Sequence, residues 1–489
     1  QLLQLTLLTI PAAMKVVEEE QLITVMDGPW SPEGLIREIV ESGSQEDPFY
    51  VMDLGEVVAR YHRWKELMPR VEPFYAVKCN DDKLLVSTLA ALGTGFDLPT
   101  TRKTCIQVFP VDSRALHKDV GSVHLVGGLL ALRCVVATPE QVEILYTFYR
   151  RIIFANPAKM ASHIRYASAV GVDVMTFDSE TELMKIKQYM PHAQLVIRIR
   201  CDAASAQCPL GIKFGCDPVT EAPRLLKLGA VLGLDVIGVS FHVGSGASET
   251  EVYARAIALS RALFHVGHNV GHKNMRLLDI GGGFPGGSHS SIREVAEVIN
   301  SSLEEHFPER SVRVIAEPGR YFAAAAYTLA TMVHAKREDV DDNAETHTMY
   351  FINDGVYGSF NCVLYDHQHV VAEPLNDNGS PLSACSVWGP TCDGLDCVLA
   401  ATRLPALAPG DWLLFRDMGA YTLPVASPFN GFPVPTVLYI LGQSKYYFIP
   451  TLRPLSASQF AAGRTSPPPL APPSPPPPAR AVFVECALK

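Results

Sequence analysis

Between residues 74 and 317, short apolar runs alternate with stretches of helical periodicity, and this alternation limits the fold more than any single motif. The runs cover 74–78, 95–97, 152–155, 174–177, 195–199, 238–242, 277–280 and 312–317. Between them lie segments such as DDKLLVSTLAALG, AKMASHIRYASAVG, SETELMKIKQYM, ETEVYARAIALSRALFHVG and SIREVAEVINSSLEEHF. Each places apolar residues at helical spacing, and several end near glycine. Eight strand–helix repeats in about 250 residues predict an α/β fold, a (β/α)8 barrel of the TIM type. An open, doubly wound sheet is the alternative that the same pattern allows.

The texture changes beyond residue 325. YTLATMVHAKRE, TMYFINDG, CVLYDHQHVVAEPL, DWLLFRD and TVLYILG are β-rich, with turn residues between them. The expected organisation is therefore an N-terminal segment (1–50), a barrel (51–325), a C-terminal, mainly β domain (326–450) and a proline-rich tail (451–489) expected to be disordered. GSQEDPFYVMDLG near the start is expected to lend a strand to the β domain. Residues 110–149 are too long to link two adjacent barrel strands. They are either a real insertion or sequence foreign to the fold.

Charge and composition remove several classes. A formal charge of −10 without a basic stripe argues against nucleic-acid binding. Eleven cysteines without disulfide-like or metal-ligand spacing fit a reduced, cytoplasmic chain with no metal. No run of about 18 apolar residues reads as a membrane span. The opening QLLQLTLLTIPAA lacks a cationic region and is not read as a signal peptide, and Met14 is a more natural first residue than Gln1.

In a barrel, reactive groups gather where strands end. Here the strand ends carry Lys78, Asp97, Arg198, His242, the run Gly281-Gly282-Gly283, and Glu317. LLDIGGGFPGG (277–287) is a strand entering a glycine loop, whose bare amides can approach a phosphate. In AEPGRYF (316–322), Arg320 can hold that phosphate from the next loop. SFHVGSG (240–246) adds His242 and Ser245. Taken singly, each has a plainer reading: edge lysine, core histidine, ordinary turn, surface ion pair. Together, a phosphate cradle, an amine and a buried acid point to pyridoxal 5′-phosphate. Lys78 is then the Schiff-base amine, and Glu317 keeps the pyridine nitrogen protonated. His242 is placed to stack on the ring, and Arg198 to bond near its oxygen or phosphate.

The motifs PFYAVKCN, GTGFD, FANPAK, MTFDSETEL, GVSFHVGSG, LLDIGGGFPG, AEPGRY, NDGVYGSFNCVLYDH, WGPTCDGLD and DMGAYT resemble those of eukaryotic ornithine decarboxylases, over roughly residues 30–109 and 150–445. The resemblance implies decarboxylation of ornithine to putrescine and CO2 by a homodimer with shared sites. It implies that Lys78, Asp97, Arg198, His242, Ser245, Gly281, Gly282, Gly283, Glu317, Arg320 and Tyr421 hold the cofactor. Tyr365, Asp366 and Asp393 would bind substrate, and Cys392 would protonate the carbanion. Cys392 and Asp393 would come from the partner subunit, with Tyr357 and Phe429 at the site and interface. It further implies antizyme as a partner, on the surface around residues 151–166 that includes Lys159 and Arg165. The main alternative is a catalytically inactive, antizyme-inhibitor-like paralogue. A relative using arginine, lysine or diaminopimelate is a third reading, and a nicotinamide enzyme a remote fourth. Two departures stand out: LPTTRKTCIQV and 110–149 replace the family's short link after GTGFD, and the family's C-terminal degradation tail is not recognisable.

Overall fold

The computed structural model describes residues 23–26, 29–98, 151–201, 210–246, 249–340, 346–376, 378–442 and 460–461. The atypical stretch at 110–149 and all but two residues of the proline-rich tail lie outside the described residues.

The chain begins with β1 (Ile23–Met26), α1 (Pro32–Glu41), β2 (Phe49–Asp53) and α2 (Leu54–Leu67). Ser31 caps α1 and Pro32 follows at its first turn, where a missing N–H costs nothing. The barrel strands are β3 (Val71–Ala76), β4 (Gly95–Asp97), β5 (Ile152–Ile153), β6 (Val174–Phe177), β7 (Gln194–Arg200), β8 (Asp235–His242), β9 (Leu277–Asp279) and β10 (Arg313–Ala316). All pair in parallel, in the order β5-β4-β3-β10-β9-β8-β7-β6. A bridge from Phe154 to Met175 joins the two ends. The sheet is therefore a nearly closed eight-stranded barrel, and the open-sheet alternative is excluded.

Helices α3 (Lys83–Ala91), α4 (Ala161–Val170), α5 (Glu180–Tyr189), α6 (Glu221–Val231), α7 (Glu251–Val270) and α8 (Arg293–His306) pack outside. Asp82 caps α3 through the amides of Leu84 and Leu85, at 2.9 and 3.0 Å. Trp64 of α2 is fully buried against Phe284 and Tyr321, and its indole N–H donates to the Val71 carbonyl at 2.9 Å. It locks α2 onto β3, the strand that leads to Lys78.

Strand periodicity of two layers the barrel interior. Phe74, Ile153, Val196, Ile237, Leu277 and Ile315 form one apolar cluster. Two residues further along their strands the lining turns polar: Arg198 after Val196, Asp279 after Leu277, Glu317 after Ile315. An apolar floor thus carries a charged storey above it, at the ends from which the βα loops spring.

After α9 (Arg320–Ala323) the chain builds β11 (Tyr327–Val340), β12 (Thr346–Ile352), α10 (Asn361–Tyr365), β13 (Glu373–Pro374), β14 (Ser383–Trp388), β15 (Cys397–Leu404), β16 (Trp412–Phe415), β17 (Thr436–Gly442) and β18 (Phe460–Ala461). These join a second sheet in the order β15-β14-β12-β11-β2-β17-β1-β18, with β16 on β11 and β13 on β16. β2 lies antiparallel to β11 and parallel to β17, so residues before the barrel complete the sheet that follows it. The Tyr439 hydroxyl of β17 donates to Asp82 at 2.7 Å, and the Asn80 amide to the Gly419 carbonyl at 2.9 Å. Both bonds fasten the Lys78 turn to the β sheet. Among the described residues no helix is long and apolar enough to cross a membrane.

Candidate active site

Lys78 leaves the end of β3 in a single 3-10 turn, Val77–Cys79, rather than continuing the strand. The turn lifts its side chain into the barrel mouth, where Nζ donates to Asp97 Oδ2 at 3.1 Å. Ala76 and Asp97 are register partners on β3 and β4, which brings the pair together. Asp97 is buried, whereas 40% of the Lys78 side chain is open to the pocket. Burial lowers the lysine pKa, but Asp97, Tyr421 and Glu317 more than offset this and hold it above its ordinary value. Lys78 is an ammonium in the open pocket, and water screens part of its interaction with Asp97.

Lys78 shares a pocket with Ala76, His242, Ser245, Gly282, Gly283, Phe284, Glu317, Gly319, Arg320 and Tyr421. Glu317 is almost fully buried. Burial is the main reason its carboxyl is pushed well above the ordinary range, and Asp279 and Asp97 add to it. His242 closes β8. Its Nδ1 accepts from the Gly244 amide at 3.0 Å, which leaves the proton on Nε2. Burial first, then Arg198 and Lys78, push its pKa well down, so the imidazole is neutral.

The glycine loop fits backbone where no side chain could go. A Cβ at Gly282 would lie 2.7 Å from His242 Nε2, and Gly283 has φ +106° with only 2.6 Å to Val243. Gly281 does not line the pocket; it packs against the Phe241 carbonyl instead. Arg60 of α2 pins the end of the loop, donating to the carbonyls of Tyr321 and Gly287 at 2.8 and 3.1 Å.

Arg320 faces the loop and donates to Ser245 Oγ at 3.0 Å and to both oxygens of Asp366 at 2.9 and 2.7 Å. Its guanidinium lies 5.3 Å from the Tyr421 ring centroid. The structure thus brings together Lys78, Asp97, His242, Ser245, Gly282, Gly283, Glu317, Arg320, Tyr421 and Asp366. Arg198 is elsewhere, in the polar storey beneath, with its guanidinium over Phe214. Tyr365 is 69% exposed and does not line the pocket.

Cys392 and Asp393 do not reach this pocket either. They occupy a turn between β14 and β15, with Cys392 exposed. Buried Asp396 shapes the turn by accepting from the Thr391 amide and hydroxyl at 3.0 and 2.7 Å and from the Val356 amide at 2.8 Å. Asp393 accepts from the Tyr357 hydroxyl, which holds its carboxyl below the usual range. The Tyr357 and Phe429 rings stack at 4.3 Å, and Phe429, Phe432, Val434 and Leu395 stand exposed.

Lys159 is not on an outer surface. It is buried beside Glu182 at 2.9 Å, whereas Arg165 is exposed on α4 over the Tyr189 ring. Asp279 and Arg60 escaped the reading of strand ends, although Asp279 stands in LLDIGGG as an acid inside an apolar strand.

A glycine cradle facing an arginine, with an amine and a buried acid across the same barrel mouth, is the site of a pyridoxal phosphate barrel enzyme. A model of the family described as "Pyridoxal-dependent decarboxylase, pyridoxal binding domain" matches residues 54–103 and 140–324, skipping much of the atypical stretch. Ornithine decarboxylase of Rattus norvegicus is 46% identical over 83% of both chains. Antizyme inhibitor 2 of Xenopus laevis is 44% identical over 86% of this chain and 87% of its own. Among solved structures, the Paramecium bursaria Chlorella virus arginine decarboxylase bound to agmatine matches with a TM-score of 0.72 and 34% identity, covering 83% of this chain and all of that one. The lysine/ornithine decarboxylase of Vibrio vulnificus complexed with putrescine matches at 0.66 and 27%, covering 84% and 99%. The chain belongs to the ornithine decarboxylase family of pyridoxal-dependent proteins.

Proposed function

We propose that this chain is a pyridoxal phosphate-dependent decarboxylase that converts ornithine to putrescine and CO2. The observation that carries the reading is that Lys78 and Glu317 line one pocket whose far side is the glycine loop and Arg320. The residues fit the cofactor. Gly282, Gly283, Ser245 and Arg320 would hold its phosphate, Glu317 would meet the pyridine nitrogen, and Lys78 Nζ would meet the aldehyde. Neutral His242 offers a flat face for the ring, and Tyr421 flanks Arg320. When bound, the cofactor supplies an electron sink for the pair left as CO2 departs. The chain's part is to orient the leaving carboxylate, exclude water and place protons.

Asp366 would hold the distal ammonium of ornithine by charge-assisted hydrogen bonds. In this structure it is engaged by Arg320. A phosphate on Arg320 and an ammonium on Asp366 would replace one ion pair by two, so neither charge is left buried alone. Asp393 and Cys392, which do not line their own chain's pocket, would serve that of a second copy. There Cys392 is a suitable proton donor, since a thiol with a reference pKa of about 8.5 stays mostly protonated at neutral pH.

Gly283→Ala is expected to weaken pyridoxal phosphate binding at least about tenfold, a loss of about 1.4 kcal/mol or more, measured by titration of the visible absorbance. The direct test of function is CO2 release from ornithine, lysine and arginine by the purified protein, with ornithine preferred. A colourless protein that binds antizyme and releases no CO2 would instead support the inhibitor-like reading, which the Xenopus relative keeps in view.

A further inference from the structure

Next to the ring pocket, and sharing His242 and Glu317 with it, a second group of residues from the polar storey of the barrel (Arg198, Ser240 and Asp279) surrounds a narrow gap. Glu317 lines both spaces and so forms the wall between them. Behind it stands Asp279, fully buried. Asp279 and Glu317 end neighbouring strands: Asp279 is paired in register with Ile315 of β10 and with Ser240 of β8.

The polar atoms of this space are incompletely satisfied. Asp279 Oδ1 accepts from the Gly281 amide at 2.9 Å, but Oδ2 meets no N–H or O–H donor, and neither does Ser240 Oγ. Glu317 lines the same space from the neighbouring strand, two residues beyond the register partner of Asp279, and each carboxyl shifts the protonation of the other. Two carboxyls can bond to each other only if one carries a proton, and two buried anions in contact would repel strongly.

Resting on the ring site argued above, we propose that Asp279 is a positioning residue that acts through Glu317: the two carboxyls share one proton, and this keeps a proton in the contact between Glu317 and the pyridine nitrogen. The surroundings agree. Burial first, offset in part by Glu317 and Gly281, leaves Asp279 pushed up to about 6. The charged groups facing the pair are Asp97 on β4, which adds to the repulsion, and Arg198 on β7 and Lys78 beyond β3, which oppose it. His242 on β8 faces them as a neutral imidazole. One carboxylate at Glu317 would release the ring proton as pH rises. A second anion behind it attracts the same proton and holds it to higher pH. The function gained is a ring that stays protonated, and therefore electron-withdrawing, across the working range.

The test uses pyridoxine 5′-phosphate, which has the ring and phosphate but no aldehyde to react with Lys78. Its absorbance on the full-length protein is followed against pH for wild type and Asp279→Asn. Asparagine keeps the size and the acceptor for the Gly281 amide but removes the charge. The expected result is loss of the ring proton in Asp279→Asn at least about one pH unit lower than in wild type, a tenfold fall in proton affinity. Equal titrations, or weaker binding without a shifted titration, would overturn the proposal and leave Asp279 a merely structural residue. Failure of wild type to bind the probe would overturn the ring site itself, a different outcome.

Discussion

Replacing Lys78 by alanine lowers kcat for ornithine by about 10³-fold or more while the fold persists. Among the described residues the amine is the only lysine lining the pocket, and it stands beside Asp97. Its removal deletes the nucleophile that the cofactor aldehyde requires, and no other pocket side chain supplies one. The cost in stability is smaller. The substitution leaves buried Asp97 without its cation, a loss of about 1–3 kcal/mol, reduced because 40% of the Lys78 side chain already faces water. Asp97→Asn in the same chain removes the orphaned charge and should restore thermal stability without restoring activity. The chemical readout is direct: borohydride treatment fixes cofactor covalently to the wild-type protein but not to Lys78→Ala. Covalent fixation in the variant, or residual CO2 release within tenfold of wild type, would show that another amine does the work.

The strand ends were legible because their chemistry is local. An amine closing PFYAV and an imidazole closing GVSF are unusual against apolar neighbours, and strand order alone carries them to one rim. All eight predicted apolar runs fall on barrel strands, two with identical bounds and the others with ends displaced by at most three residues. Arg198 was legible as a charge but not as a storey. Its depth follows from the stagger of neighbouring strands, which sequence spacing does not encode. Asp279 was hidden for the opposite reason. Inside LLDIGGG it stands out as an acid in an apolar strand, but its place next to Glu317 arises only when β9 and β10 pair. Lys159 shows how a cation in a loop is misplaced: nothing in FANPAK announces that Glu182, on a helix one strand later, draws it into the interior. The C-terminal sheet was legible as β texture, but its order was not. The strand expected from GSQEDPFYVMDLG does join it, as residues 49–53, but its place between β11 and β17 could not be read, because long-range pairing leaves little trace in local pattern.

Mixing inactive Lys78→Ala protein with inactive Cys392→Ala protein, after subunit exchange, should restore about a quarter of wild-type activity. The reason is geometric. The turn bearing Cys392 and Asp393 is well built, tied by Asp396 and by the Tyr357–Asp393 bond, yet neither residue lines the pocket of its own chain. An exposed turn carrying an acid and a thiol is open to contact by a second copy, as the proposed shared site requires. The apolar side chains around it, Phe429, Phe432, Val434 and Leu395, would be covered by the same contact. In the proposed two-fold dimer each turn would enter the opposite pocket. Equal mixing makes half the dimers mixed, and each mixed dimer has one pocket with both residues intact and one with neither, hence about a quarter of all sites. If each chain instead used its own Cys392, every site in the mixture would lack one residue and no activity would return. Exchange is followed by differently tagged chains that purify together. Exchange without recovery would rule out shared sites and assign Cys392 to the pocket of its own chain.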